Sequence, residues 1–159
     1  MECSIILLDI DGVMVTTPGW KRAEMNSDGF MEFNRRAAGN LASIIAATGA
    51  DVILTTSHRN QYPAEAWKLI LDRRGIATNS ITIIDDYIGA GNYTSRAEEI
   101  QRWVRVFGEH KNYVIIDDDT SLDNLPVSVK NRWVKTSPLI GLDDKAVAKA
   151  LEVLRHVAV

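Results

Sequence analysis

The sequence predicts an α/β fold of three layers, a five-stranded and mainly parallel sheet with helices on both faces, and three observations predict it. Short apolar runs of strand length, at 5–8, 51–54, 81–84, 113–116 and 133–136, alternate along the chain with segments whose apolar residues recur at helical spacing. Such alternation implies right-handed crossovers and parallel strands, which gathers the carboxyl ends of the strands on one rim. Three of the runs end in residues that carry chemistry: Asp9 and Asp11, then Thr55 and Thr56, then Asp117 and Asp118. At 159 residues, 46% hydrophobic and 25% charged, the chain is long enough to bury a core as one globular domain spanning 1–159.

The first run, Ile5 to Leu8, stops at Asp9, and Gly12 lets the backbone leave the sheet sharply. Alternate side chains of an extended chain share a face, so Asp9 and Asp11 are expected to converge on one point. Two carboxylates so placed suit phosphoryl transfer, one attacking phosphorus while the other passes a proton to or from the leaving oxygen. Asp-x-Asp-Gly also occurs in calcium loops and plain turns. A calcium loop would need an oxygen ligand at Val13 and a glycine at Met14, which this spacing lacks. A plain turn stays open on this stretch alone.

Met14 to Phe33 has no clear periodicity and carries turn residues at both ends, Pro18-Gly19 and Asn26-Ser27-Asp28-Gly29. That pattern predicts a hairpin or flap over the strand end, a minimal cap at 13–33. Trp20, Phe30 and Phe33 read as small-core packing, and Lys21 and Arg22 as a solvated rim with a phosphate clamp as the alternative. Asn34 caps a helix running to about Thr48 and stopped by Gly49. The second strand, 51–54, delivers Thr55, Thr56 and Ser57, whose hydroxyls and amides hold phosphate oxygens without adding negative charge. A Ser/Thr turn before the next helix is the alternative. His58 reads as a surface residue, and Arg59 as placed to meet an anion.

Pro63 opens a helix that ends at Gly75. After the third strand, 81–84, residues 87–93 read as a glycine-rich loop, and Ser95-Arg96-Ala97-Glu98 has capping-box spacing for a helix facing inward with Ile100, Trp103, Val104 and Phe107. Arg96 in that first turn opposes the helix dipole by about 0.3–1 kcal/mol, which an anion nearby would offset. The fourth strand, 113–116, ends in Asp117-Asp118-Asp119, acids delivered to the edge where open α/β sheets bind ligands. A short turn at 122–125, a fifth strand at 133–136 and a last helix carrying Val147, Leu151 and Leu154 complete the chain.

A net charge of −3 excludes a protein that coats nucleic acid or an anionic membrane by bulk electrostatics. The single cysteine, Cys3, is expected as core filler and fits a reducing cytoplasm. Glu2 stands where an export signal would be positive, and Asp9 cuts the first apolar run, so neither a signal nor a membrane span is expected. On one rim, Asp9, Asp11, Asp117 and Asp118 cannot all ionise unaided, because like charges raise one another's pKa. A bound cation resolves the conflict, and oxygen ligands without a histidine or cysteine cluster select a hard ion, Mg²⁺.

In order, Asp-x-Asp-Gly-Val, strand-Thr, a basic residue at a helix start and strand-Asp-Asp resemble the four motifs of the haloacid dehalogenase (HAD) superfamily of phosphohydrolases. The strings from Val52 to Arg59, Ser95 to Trp103 and Val114 to Asp119, with Gly141-Leu142, look most like the small HAD domain of Swiss army knife RNA-repair proteins and, more distantly, the phosphatase half of polynucleotide kinase-phosphatases. The resemblance implies a HAD-like Rossmannoid sandwich with no large cap. It implies Asp9 as the nucleophile that becomes an aspartyl-phosphate, Asp11 as acid and base, and Thr55 with the Thr56 amide holding the phosphoryl group. Arg96 would take the usual lysine's place, and Mg²⁺ would sit on Asp9, Asp117, Asp118 and the backbone at Asp11. Gly12 and Arg59 complete the expected phosphate-binding set. His58 stands where relatives often carry an aromatic residue.

The function expected is an Mg²⁺-dependent phosphomonoesterase acting on nucleotides or phosphorylated polynucleotide ends, beside a separate repair partner chain. Small phosphorylated metabolites are the alternative substrates. A non-catalytic, phosphate-responsive binding module is the alternative of another class.

Overall fold

The computed structural model describes residues 3–16 and 23–155. Trp20, Lys21 and Arg22 therefore lie outside the described residues. The sheet contains β1 (Ser4–Leu8), β2 (Asp51–Leu54), β3 (Ile81–Ile83), β4 (Asn112–Asp117) and β5 (Trp133–Lys135). Their order is β3-β2-β1-β4-β5, and every neighbouring pair is parallel. The chain steps outward from β1 to β2 and β3, then crosses back to place β4 on the other side of β1. That reversal is the topological switch point at which open α/β sheets form their crevice.

Alternation along β1 sends its residues to two cores. Ile6 and Leu8 join a core roofed by α1 (Arg35–Thr48), α2 (Ala64–Arg73) and the last helix, through Leu41, Ile44, Trp67, Leu71, Ala150 and Leu154. Ile5 and Leu7 join an opposite core with Ile100, Trp103, Leu122, Val129 and Trp133. The outcome is the three-layer sandwich the alternation predicts. Asn34 caps α1 by accepting from the Ala37 N–H at 3.1 Å, and Gly49, at φ 68°, ends it with its N–H on the Ile45 carbonyl.

Three local expectations change. The stretch read as a loop from Tyr87 begins as a helical turn, α3 (Asp85–Ile88), because the Tyr87 and Ile88 amides bond back to the Ile84 carbonyl before Gly89 (φ 76°) stops it. The following helix, α4 (Arg96–Trp103), does not carry its pattern on to Phe107. It widens into a π turn over Val104–Gly108, which seats Gly108 on the Trp103 indole where an added Cβ would lie 2.1 Å from the ring, and Phe107 stays 38% exposed. Cys3 is exposed rather than core filler. A 3₁₀ turn (Thr120–Asn124), β5 and α6 (Asp144–Arg155) follow in the order read from sequence, and the short α5 (Val127–Lys130) between the turn and β5 is an element that reading did not contain.

Within 23–33, Met25 and Met31 make an antiparallel bridge around the Asn26–Gly29 turn, which presses Phe30 inward. Phe30 and Phe33 are buried, as their reading as packing residues expects. Arg74, at the end of α2, fastens this hairpin. It pairs with Asp28 at 2.6 Å and also donates to the Phe30 and Met31 carbonyls. Among the described residues no helix is long and apolar enough to cross a membrane.

Candidate active site

Register builds the rim. Leu8 pairs with Leu54 on one side and with Ile116 on the other. The Thr55 N–H donates to the Leu8 carbonyl at 2.9 Å, and the Asp9 N–H donates to the Ile116 carbonyl at 3.1 Å. Asp9, Thr55 and Asp117, each the next residue beyond a paired position, are thereby set side by side at the carboxyl edge.

Three carboxylates meet there. Asp9, Asp117 and Asp118 each offer an oxygen, all within 4.8 Å of one another. Asp9 is 6% exposed and Asp117 fully buried. Burial first, and then the charge of Asp117, push the Asp9 carboxyl up to about 8, against the pull of Arg96. Asp117 and Asp118 are raised as well, each chiefly by burial. Gly12 lets Asp118 approach. At φ 77° it occupies the left-handed region, and a Cβ on it would lie 2.1 Å from Asp118 Oδ2. An all-oxygen set with excess negative charge in a crevice fits a hard divalent cation such as Mg²⁺, by the chemistry of the donors.

Arg96 reaches this cluster from the first turn of α4, which Ser95 caps by accepting from the Glu98 N–H at 3.1 Å. Its Nη1 lies 2.7 Å from Asp117 Oδ2 and 3.4 Å from Asp9 Oδ1. Burial pushes the guanidinium down, but the charges of Asp117 and Asp9 outweigh it and hold Arg96 above its ordinary value. A cation at a helix start is here explained by the acids it faces.

Arg59 is the main departure from the expected set. Its Nε pairs with Asp85 at 3.0 Å, its Nη2 with Glu99, and its Nη1 donates to the Thr55 and Thr56 carbonyls at 3.1 and 3.3 Å. A guanidinium engaged on three sides shapes the Thr55–Thr56 loop from behind and is not presented to an anion, so the phosphate-binding expectation for Arg59 gives way to a scaffold role. Glu99 also approaches Arg96 Nε at 3.6 Å and so ties the two arginines together. Sequence reasoning passed over Glu99, although its position three residues after Arg96 on one helix face was a usable signal.

Thr55 and Thr56 are both fully buried. Thr56 Oγ1 accepts from the His58 N–H at 3.2 Å, whereas Thr55 Oγ1 has no hydrogen-bond partner among the described residues. A buried hydroxyl left in that state costs roughly 1–3 kcal/mol, which a ligand oxygen would recover. Asp11 does not add its carboxylate to the acid cluster. Its side chain is 56% exposed, with Oδ2 2.8 Å from His58 Nε2. Asp119, third of the acid run, accepts from the Ser121 N–H at 2.8 Å and caps the 3₁₀ turn.

Among solved structures the chain resembles D,D-heptose 1,7-bisphosphate phosphatase from B. bronchiseptica, crystallised with magnesium and phosphate. That likeness has 16% identity and a TM-score of 0.41 over 74% of this chain and 70% of the other. No curated protein matches the chain. Comparison with protein families matches residues 5–147 to the HAD domain in Swiss Army Knife RNA repair proteins. With that match spanning nearly the whole sheet and its rim, the chain belongs to this family of HAD-superfamily phosphatases.

Proposed function

We propose that the protein is an Mg²⁺-dependent phosphomonoesterase that works through an aspartyl-phosphate on Asp9 and acts on phosphorylated polynucleotide ends or nucleotides. The observation that carries this reading is the convergence of Asp9, Asp117 and Asp118 within 4.8 Å, with Arg96 3.4 Å from Asp9. Asp9, Asp117 and Asp118 would hold the Mg²⁺, which when bound neutralises charge on the phosphoryl oxygens and on the carboxylates.

In the first step an Asp9 carboxylate oxygen attacks phosphorus, the bond from phosphorus to the leaving oxygen breaks, and Asp11 gives that oxygen its proton. In the second step Asp11 takes a proton from water, the water oxygen attacks the same phosphorus, and Asp9 is released with inorganic phosphate. The Thr55 hydroxyl and the Arg96 guanidinium hold the transferring group in line. Electrostatically, Arg96 is placed to supply charge to the phosphoryl group at the moment Asp9 gives up its own.

An exposed Asp11 favours a bulky substrate, because the residue that meets the leaving group stands open to solvent. The described residues 13–16 and 23–33 would then serve as a minimal cap beside the entrance. The family's occurrence in RNA-repair proteins supports a polynucleotide end as the substrate; a cytoplasmic setting and a separate repair partner chain are part of the same proposal.

Phosphate release measured with Mg²⁺ on 5′- and 3′-phosphorylated oligonucleotides, mononucleotides and sugar phosphates tests the substrate class. Preference for an oligonucleotide end is the expected result. Preference for a sugar phosphate would leave the chemistry standing and remove the polynucleotide reading.

A further inference from the structure

His58 occupies a position that the surface reading does not explain. Its Nε2 lies 2.8 Å from Asp11 Oδ2, and its Nδ1 lies 2.9 Å from Gln61 Nε2. Gln61 Nε2 is an amide donor, so Nδ1 accepts and the proton of a neutral ring sits on Nε2, pointing at the carboxylate. The ring plane is fixed as well. Phe30 meets it edge to face at 5.7 Å with planes 87° apart, and Phe30 is itself packed on Trp67, Tyr62 and Phe33. The hairpin carrying Phe30 is in turn fastened by the Arg74–Asp28 pair.

Asp11 needs such a partner. It is 56% exposed, and among the described residues His58 is its hydrogen-bond donor. A polar contact this exposed adds little to stability, so its consequence is direction. A carboxylate that must meet a leaving oxygen loses rate when it can rotate away, since proton transfer demands hydrogen-bond reach.

We propose that His58 is a positioning residue for Asp11. Its Nε2–H holds one carboxylate oxygen and leaves the other to deliver the proton to the leaving group and to take one from water. Gln61 fixes the ring's tautomer and Phe30 its plane. The assignment rests on the proposed role of Asp11 as acid and base. It makes the 23–33 hairpin part of the alignment of that acid, through Phe30.

Leaving-group dependence separates positioning from a merely structural role. Poor leaving groups, such as the alkoxide of an alkyl phosphate, need the acid; a nitrophenolate leaves with little help. Wild type, His58→Ala and His58→Gln are compared on an alkyl phosphate and on 4-nitrophenyl phosphate with saturating Mg²⁺. For His58→Ala, kcat/KM on the alkyl ester should fall by about tenfold or more relative to kcat/KM on the aryl ester, because kcat/KM reports the steps up to loss of the leaving group while hydrolysis of the aspartyl-phosphate is common to both esters, as expected for partial loss of acid help worth 10²–10⁴-fold. Gln carries an amide donor near the position of Nε2, so His58→Gln should recover most of that ratio. Equal losses of kcat/KM on both esters, or wild-type kinetics in His58→Ala, would overturn the positioning role while wild-type turnover keeps the phosphatase reading. No turnover by wild type on either ester would overturn that reading and this inference with it.

Discussion

Asp9 lives with a conflict that the rest of the site is arranged around. Its ordinary carboxyl value of 3.8 rises to about 8 through burial and the neighbouring charge of Asp117. Between those values the folded protein holds a proton that the unfolded chain has released, so the metal-free fold loses stability from this group as pH rises from about 4 to about 8. A bound Mg²⁺ would take the proton's place, and fewer protons would need displacing at high pH. The gain in thermal midpoint on adding Mg²⁺ should therefore be larger at pH 8 than at pH 6, with Asp9→Asn flattening the difference; equal gains in wild type would contradict this. Gly12 is the second sensitive residue. Gly12→Ala places a Cβ 2.1 Å from Asp118 Oδ2, and a flexible carboxylate yields before the backbone does. Calorimetry should then show Mg²⁺ affinity down by about 10–100-fold with the fold kept, the range for disturbing what orients a metal ligand. Asp9, Thr55 and Asp117 were legible in the sequence because a buried strand announces where its end must be. The partner of His58 was not, because Asp11 lies 47 residues away and only the turn of two loops brings them together.

At the scale of elements, the hairpin at 23–33 is held by one buried ion pair. The side chains of Arg74 and Asp28 are 3% and 4% exposed, and Arg74 also donates to the Ile70, Phe30 and Met31 carbonyls. Removing one partner of such a pair strands a buried charge at a cost of about 3–5 kcal/mol. Arg74→Ala should lower the thermal midpoint by roughly 6–20 °C at the 2–4 °C per kcal/mol of a chain this size. If Phe30 transmits alignment to His58, the same variant should also lose alkyl-phosphate turnover below its melting range; a midpoint shift under a degree would show that the pair does not hold the hairpin. The helix starts at Asn34 and Ser95 could be read in advance, since capping chemistry is local. The π turn after Trp103 could not, because it is set by Gly108 packing on an indole, a tertiary contact with no periodic signature.

Over the whole molecule, one register explains why acids and hydroxyls scattered from Asp9 to Asp118 form a single site. β1 pairs in step with both β2 and β4, and the chain reverses direction across the sheet at β1. Parallel order and two-sided cover followed from alternation in the sequence. What alternation could not supply is how the charges on the rim are shared. Arg59 looked like an anion ligand because it follows a hydroxyl cluster, yet Asp85 and Glu99, from other elements, claim it. Arg96 looked misplaced in its helix and is the cation that reaches Asp9.

The central claim, that Asp9 accepts a phosphoryl group beside an Mg²⁺ held by Asp117 and Asp118, can be tested without knowing the substrate. Beryllium fluoride mimics a phosphoryl group on a carboxylate, and ¹⁹F NMR reports whether it is bound. Wild type with Mg²⁺ should show protein-bound fluorine resonances that vanish without Mg²⁺, in Asp9→Asn and in Asp117→Ala. Bound resonances that persist in Asp9→Asn, or none in folded wild type with Mg²⁺, would contradict the account.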